Sequence, residues 1–173
     1  MKESWKRVIV LTSIVAISVV VLSSIYNITE PEIAKQKEIK FEEMLQSIFP
    51  SATDYSEKEG IYEVYSDNKR VGYAFMADGK GYGGDIEILV GVNEDKTIKG
   101  IKVLKHTETP GLGAKITERW FTDQFGGKSI GDIRLKEEGG KIDAITGATI
   151  SSSAAVDTVY GEYMEKIKMM EEK

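Results

Sequence analysis

The residues best suited to chemistry lie in Asp143-Ala144-Ile145-Thr146-Gly147-Ala148-Thr149-Ile150-Ser151-Ser152, where hydroxyls, small residues and one acid are packed together. Apolar and helix-forming residues follow, from Ala154 to Met170. The pattern reads as a strand end, a tight glycine turn and the start of a helix. A helix start carries unsatisfied N–H groups and partial positive charge, and so receives a phosphate well. Gly147 and Ala148 let a large ligand approach the backbone, and Thr146, Thr149 and Ser151 offer hydroxyls. On its residues alone the stretch reads first as a Ser/Thr-rich helix cap. A second stretch is His106-Thr107-Glu108-Thr109-Pro110-Gly111-Leu112-Gly113-Ala114-Lys115-Ile116. Pro110 and Gly111 force a turn, and Gly113 permits close backbone approach. By itself this is a surface loop, of the kind on which rigid scaffolds carry functional residues. His106 reads as a satisfied structural histidine and Trp120 as a core residue.

Composition narrows the chemistry. The chain of 173 residues contains no Cys and one His. Thiolate-held clusters, disulfides and cysteine catalysis are therefore excluded within it, and a His-rich metal site is disfavoured. Taking Lys2, Lys6, Arg7 and Glu3 from 23 bases and 28 acids leaves 20 bases and 27 acids beyond residue 28. An acidic domain without a basic stripe argues against nucleic acid as a partner.

Several elements must position these stretches. Val8–Ile28 is apolar and uncharged as far as Tyr26. About 20 such residues cross a bilayer as a helix. The run lacks an Ala-x-Ala site near its end, which favours a retained anchor over a signal peptide. Trp5 and Tyr26 flank it at interface positions; Lys2, Lys6 and Arg7 precede it, and Glu30 and Glu32 follow. The positive-inside rule then puts the N-terminus in the cytoplasm and residues 29–173 outside. Pro31–Phe49 reads as a helical stalk, started at Thr29 or Glu30 and stopped by Pro50. Four strands are expected at 61–65, 71–77, 86–92 and 98–104, with a period slip at Gly100 that suggests a bulge. Their close turns make an antiparallel meander, hence an α+β class. Gly81-Tyr82-Gly83-Gly84-Asp85 joins the second and third strands. Its glycines alone mark only a loop, and no Rossmann or Walker context is present. A short helix around Lys115, Trp120 and Phe125 is expected. So is a final helix with an apolar stripe of Ile150, Ala154, Val159, Tyr163 and Ile167.

The order Asp143-x-x-Thr146-Gly147-Ala148-Thr149-x-Ser151 resembles the attachment signature of the FMN-binding domain family. In that family FMN is joined through a phosphoester to the last Thr, here Thr149, by a separate flavin transferase of the ApbE type. The landmarks GYGGDI, HTETPGLGAKI, Trp120, Phe125-Gly126-Gly127 and DAITGAT, with the N-terminal anchor, are similar to those of G subunits of Rnf complexes. The C subunits of sodium-pumping NADH:quinone reductases are similar but usually longer. The resemblance implies an N-terminal transmembrane anchor (1–28), a helical stalk or linker (29–60) and one FMN-binding domain (61–173) with an antiparallel sheet and flanking helices. It implies one covalent FMN per chain, and an electron-transfer subunit of a complex that moves electrons between ferredoxin and NAD and couples them to ion transport. The implied partners are the other subunits, the flavin transferase and membrane lipid. The implied site comprises Thr149 as anchor, Asp143 to orient the turn, and Thr146, Gly147, Ala148 and Ser151 around the phosphate. Glu108, Thr109, Gly111, Leu112 and Gly113 would line the ring, with Lys115 as a cation for the reduced flavin. Two other classes remain open: a flavin-bearing sensor or scaffold, and a membrane-anchored interaction domain without cofactor.

Overall fold

The computed structural model describes residues 2–171. The chain forms two compact units, Met1–Lys40 and Phe41–Lys173. Helix α1 runs Lys2–Ile48, so its last turns belong to the second unit. In the first unit the helix is long and apolar enough to cross a bilayer, and no side chain from Trp5 to Lys40 is buried. Two of its hydroxyls bond back to the helix: Ser24 Oγ donates to Val20 O at 2.8 Å and Thr29 Oγ1 to Ile25 O at 2.9 Å. That back-bonding makes such residues tolerable in an apolar span. Pro31 lies inside the helix and does not start a new one. Thr29, Glu30 and Pro31 mimic a helix start, but one missing N–H does not break a helix that is continuous on both sides. The helix ends at Ile48, before Pro50, as expected.

The second unit is built on a five-stranded antiparallel meander: β1 (Asp54–Lys58), β2 (Ile61–Ser66), β3 (Lys69–Lys80), β4 (Asp85–Val92) and β5 (Ile98–His106), in the order β1-β2-β3-β4-β5. The four expected strands are present. The fifth, β1, pairs with β2 from Asp54↔Tyr65 to Lys58↔Ile61. Next to Gly100, Gly91 pairs with Gly100 while Val92 pairs with Ile98, leaving Lys99 as the extra residue of a bulge.

Both faces of the sheet are covered. On one, Phe75, Ala77, Ile88, Val90, Ile101 and Val103 pack under helix α3 (Thr149–Glu171) through Ala155, Val156, Val159 and Tyr163. Phe121 and Phe125, from the short helix α2 (Arg119–Thr122) and the 3₁₀ turn after it, extend this core. On the other face Val64, Ala74 and Leu89 meet Leu45, Ile48 and Phe49. Burial on both sides explains why β4 carries the unbroken apolar run Ile88-Leu89-Val90 rather than alternating strictly.

Two expectations change. Ile150 is 62% exposed and lies outside the α3 stripe; the buried face begins at Ser151 and Ser152 and continues through Ala155, Val156, Val159 and Tyr163. Trp120 is 47% exposed, not core: its Nε1 donates to the Glu118 carboxylate at 2.5 Å, while its neighbour Phe121 takes the buried position.

Candidate functional site

Two β-turns form facing walls. In Thr109-Pro110-Gly111-Leu112, Leu112 N–H donates to Thr109 O at 3.2 Å and Gly111 has φ +76°. In Ile145-Thr146-Gly147-Ala148, Ala148 N–H donates to Ile145 O at 2.9 Å and Gly147 has φ +79°. Glycine adopts that third-position conformation at the lowest steric cost. The turns meet: a Cβ on Gly147 would lie 3.6 Å from Leu112 Cδ2. The second turn runs straight into α3, whose first residue is Thr149. Ser152 fastens the junction, accepting from Ile145 N–H at 2.9 Å and donating to Ala148 O at 3.0 Å.

Between the walls is a cavity of about 350 Å³, lined by Tyr82, Thr109, Leu112, Gly113, Gly147, Ala148, Thr149, Ile150 and Ser151. Tyr82, 69% exposed, enters from the loop between β3 and β4. That loop is glycine-rich because it passes close to the segment after β5: a Cβ on Gly81 would strike the Glu108 carboxylate, and one on Gly83 would strike Thr107 O. Tyr82, Leu112 and Ile150 thus leave apolar surface unburied around a cavity edged by hydroxyls.

Of the residues singled out in the sequence, Thr149, Gly147, Ala148, Ser151, Thr109, Leu112 and Gly113 come together in this lining. The others do not line it. Asp143 is exposed and held outside, its carboxylate 2.7 Å from Lys136 Nζ and its N–H donating to Gln124 Oε1 at 2.7 Å. Thr146 is exposed, Gly111 serves the turn itself, and Lys115 is half-buried. Glu108 is buried behind the wall, where Oε1 accepts from Gly83 N–H at 3.1 Å and Oε2 from the Ser151 hydroxyl. His106 is satisfied as expected, its Nδ1 accepting from Glu108 N–H at 3.2 Å. The approach that Gly113 permits is first that of the protein itself: a Cβ there would lie 2.5 Å from both Glu108 Oε2 and Ser151 Oγ.

Tyr82, Ile150 and Ser152 belong to the site without standing out in the sequence. An aromatic side chain set among glycines is the available signal for Tyr82. For Ile150 and Ser152, neighbours of the motif's hydroxyls, only the helix phase at Thr149 distinguishes an outward Ile from an inward Ser.

The cavity, two hydroxyl-bearing turns and an open helix start beside an antiparallel sheet define a site suited to a ligand that carries a phosphate and an apolar ring system. Residues 81–160 match the FMN-binding domain family. The chain is 35% identical over 92% of its length to the G subunit of the ion-translocating oxidoreductase complex of Methanosarcina acetivorans, with 92% of that protein covered. It is 33% identical over 83% of its length to the G subunit of the proton-translocating ferredoxin:NAD(+) oxidoreductase complex of Clostridium ljungdahlii, 80% of which is covered. The crystal structure of Shewanella oneidensis NqrC shares the fold, with a TM-score of 0.51 at 22% identity over 66% of each chain. The chain belongs to the family of G subunits of Rnf-type ion-translocating oxidoreductase complexes.

FMN suits the residues present. A cavity of about 350 Å³ falls within the range of small-molecule sites, which are mostly apolar with a few placed polar groups. Leu112, Ile150 and the Tyr82 ring provide apolar surface for an aromatic ring system, and the α3 start provides N–H donors for a phosphate.

Proposed function

We propose that this chain is the membrane-anchored flavin subunit of a complex coupling electron transfer between ferredoxin and NAD to ion translocation, with one FMN held as a phosphoester on Thr149. The observation that carries the attachment is how the hydroxyls divide. Thr149 is exposed at the cavity on the first residue of α3, and its hydroxyl makes no hydrogen bond among the described residues. The Ser151 hydroxyl is buried and committed to Glu108, and Thr146 lies outside the lining. Thr109, also exposed, sits on the opposite wall, away from the helix start.

Bound FMN supplies the electron-carrying chemistry. The chain's residues position it. The N–H groups of Thr149, Ile150 and Ser151 lack intrahelical partners and would face the phosphate, gaining roughly 0.3–1 kcal/mol from the helix dipole. Leu112 and Ile150 would exclude water from the ring, and Ser152 holds the turn against the helix so that Thr149 stays in place. Residues 1–28 anchor the chain in the membrane with the N-terminus cytoplasmic, residues 29–40 continue the helix towards the domain, and the domain, from Phe41 onward, carries the flavin on the far side. The basic flank before the span and the acidic flank after it support that orientation.

The test is intact mass after denaturation, with and without co-expression of a flavin transferase. Mass added only with the transferase supports the reading; an unmodified chain in both preparations overturns it.

A further inference from the structure

Glu108 is only 4% exposed. A carboxylate removed from water is costly unless its oxygens find donors. Here both do. Gly83 N–H donates to Oε1 at 3.1 Å, and the Ser151 hydroxyl donates to Oε2. No Lys, Arg or His side chain forms an ion pair with it among the described residues, and His106 Nδ1 is occupied by the Glu108 backbone N–H. The chain makes room for this side chain. A Cβ on Gly81 would strike Oε1, and one on Gly113 would come within 2.5 Å of Oε2. Three separate segments, 81–83, 113 and 151, therefore fix one carboxylate that no cation neutralises. Gly113 and Ser151 also line the cavity, so the carboxylate sits one residue behind its wall.

We infer that Glu108 is a buried anion placed behind the cavity wall to lower the reduction potential of the flavin held there. This rests on the FMN reading above. Gly83 N–H can only donate, so Glu108 Oε1 meets it as an acceptor, and the carboxylate has no cationic partner among the described residues. A charge in a low-dielectric wall is weakly screened. Reduction brings negative charge into the cavity, and a fixed anion nearby disfavours it. The flavin therefore gives up electrons more readily than it would beside a neutral wall. Glu108 does not line the cavity, so it acts through space and through the position of Ser151.

The test uses the full-length protein with its flavin attached. Dithionite supplies the electrons and the buffer any protons, and the midpoint potential is read spectroscopically. Glu108→Gln keeps the shape and an acceptor for Gly83 N–H while removing the charge. The expected result is an unchanged amount of covalent flavin and a midpoint shifted to higher potential. Unchanged loading with an equal or lower midpoint overturns the inference and leaves the attachment reading intact. If wild type carries no covalent flavin, the attachment reading fails, and the same titration with FMN bound non-covalently still decides the role of Glu108. If Glu108→Gln does not fold, redox-difference infrared spectra of wild type labelled with ¹³C-glutamate decide it. An ionised glutamate band that moves on reduction supports the inference; no moving glutamate band overturns it.

Discussion

Two groups of glycines in the second unit make room for the protein's own side chains, and the side chains they admit are opposite in kind. Gly72 and Gly91, on β3 and β4, leave a seat for the Phe49 ring: a Cβ on Gly91 would lie 2.5 Å from Ile48 Cγ2 and 2.9 Å from Phe49 Cε2. Gly81 and Gly113, beside the cavity, leave a seat for the Glu108 carboxylate. The first seat is filled by a fully buried ring and sealed. The second is filled by an acid, with a cavity beside it where Tyr82, Leu112 and Ile150 remain exposed. Glycines in a row thus do not by themselves indicate a ligand. What separates a packing seat from a binding site here is the polar group seated and the apolar surface left uncovered.

The comparison is broken most severely at Phe49. Phe49→Ala should cost about 3–5 kcal/mol, as for other large buried aromatics, read by denaturant unfolding. What folds should still load flavin on Thr149; a loss of loading out of proportion to the folded fraction would mean that the two seats are coupled. Gly113→Val comes next. Its side chain must displace Glu108 and Ser151, an overpacking of about 1–3 kcal/mol. Because that strain falls on the cavity wall, the flavin absorption spectrum should shift as well. Gly91→Ala, a comparable overpacking at the Phe49 seat, should lower stability and leave the spectrum unchanged. A spectral shift in Gly91→Ala, or none in Gly113→Val, would dissolve the distinction.

The smallest effect belongs to the hairpin that carries Tyr82. Lys80 Nζ lies 2.7 Å from Asp85 Oδ1, and its hydrogen bond and charge hold the Asp85 carboxyl below the usual carboxylate range. A carboxyl depressed in the folded state stabilises above its ordinary value and loses that contribution as pH falls through the folded one. Asp85→Asn should leave melting at neutral pH nearly unchanged and make the decline in stability below about pH 4 slightly shallower. An unaltered acid limb would show that the pair contributes nothing.

The two regions were unequally legible in the sequence. The cavity walls could be read because turn chemistry is local: Pro110-Gly111 and Thr146-Gly147 specify their turns within four residues. Glu108 could be picked out but not placed, since its burial depends on Gly81, Gly83 and Ser151, far from it in sequence, as well as on Gly113 close by. Strand β1 was invisible because Asp-Tyr-Ser-Glu-Lys has one apolar side chain and is held by pairing with β2 at the sheet edge. The seat of Phe49 was equally hidden. Pro50 marked the end of its helix, but nothing local said that Gly72 and Gly91 were waiting for the ring.

The central claim is that the open hydroxyl at the start of α3 carries the flavin, and Thr149→Ala tests it most directly. Wild type and variant should be co-expressed with the flavin transferase and compared for flavin fluorescence after denaturing electrophoresis. A fluorescent wild-type band beside a dark variant band of equal protein, with an unchanged melting temperature, is the predicted result. A variant band that still fluoresces would contradict the account and move the attachment to another hydroxyl.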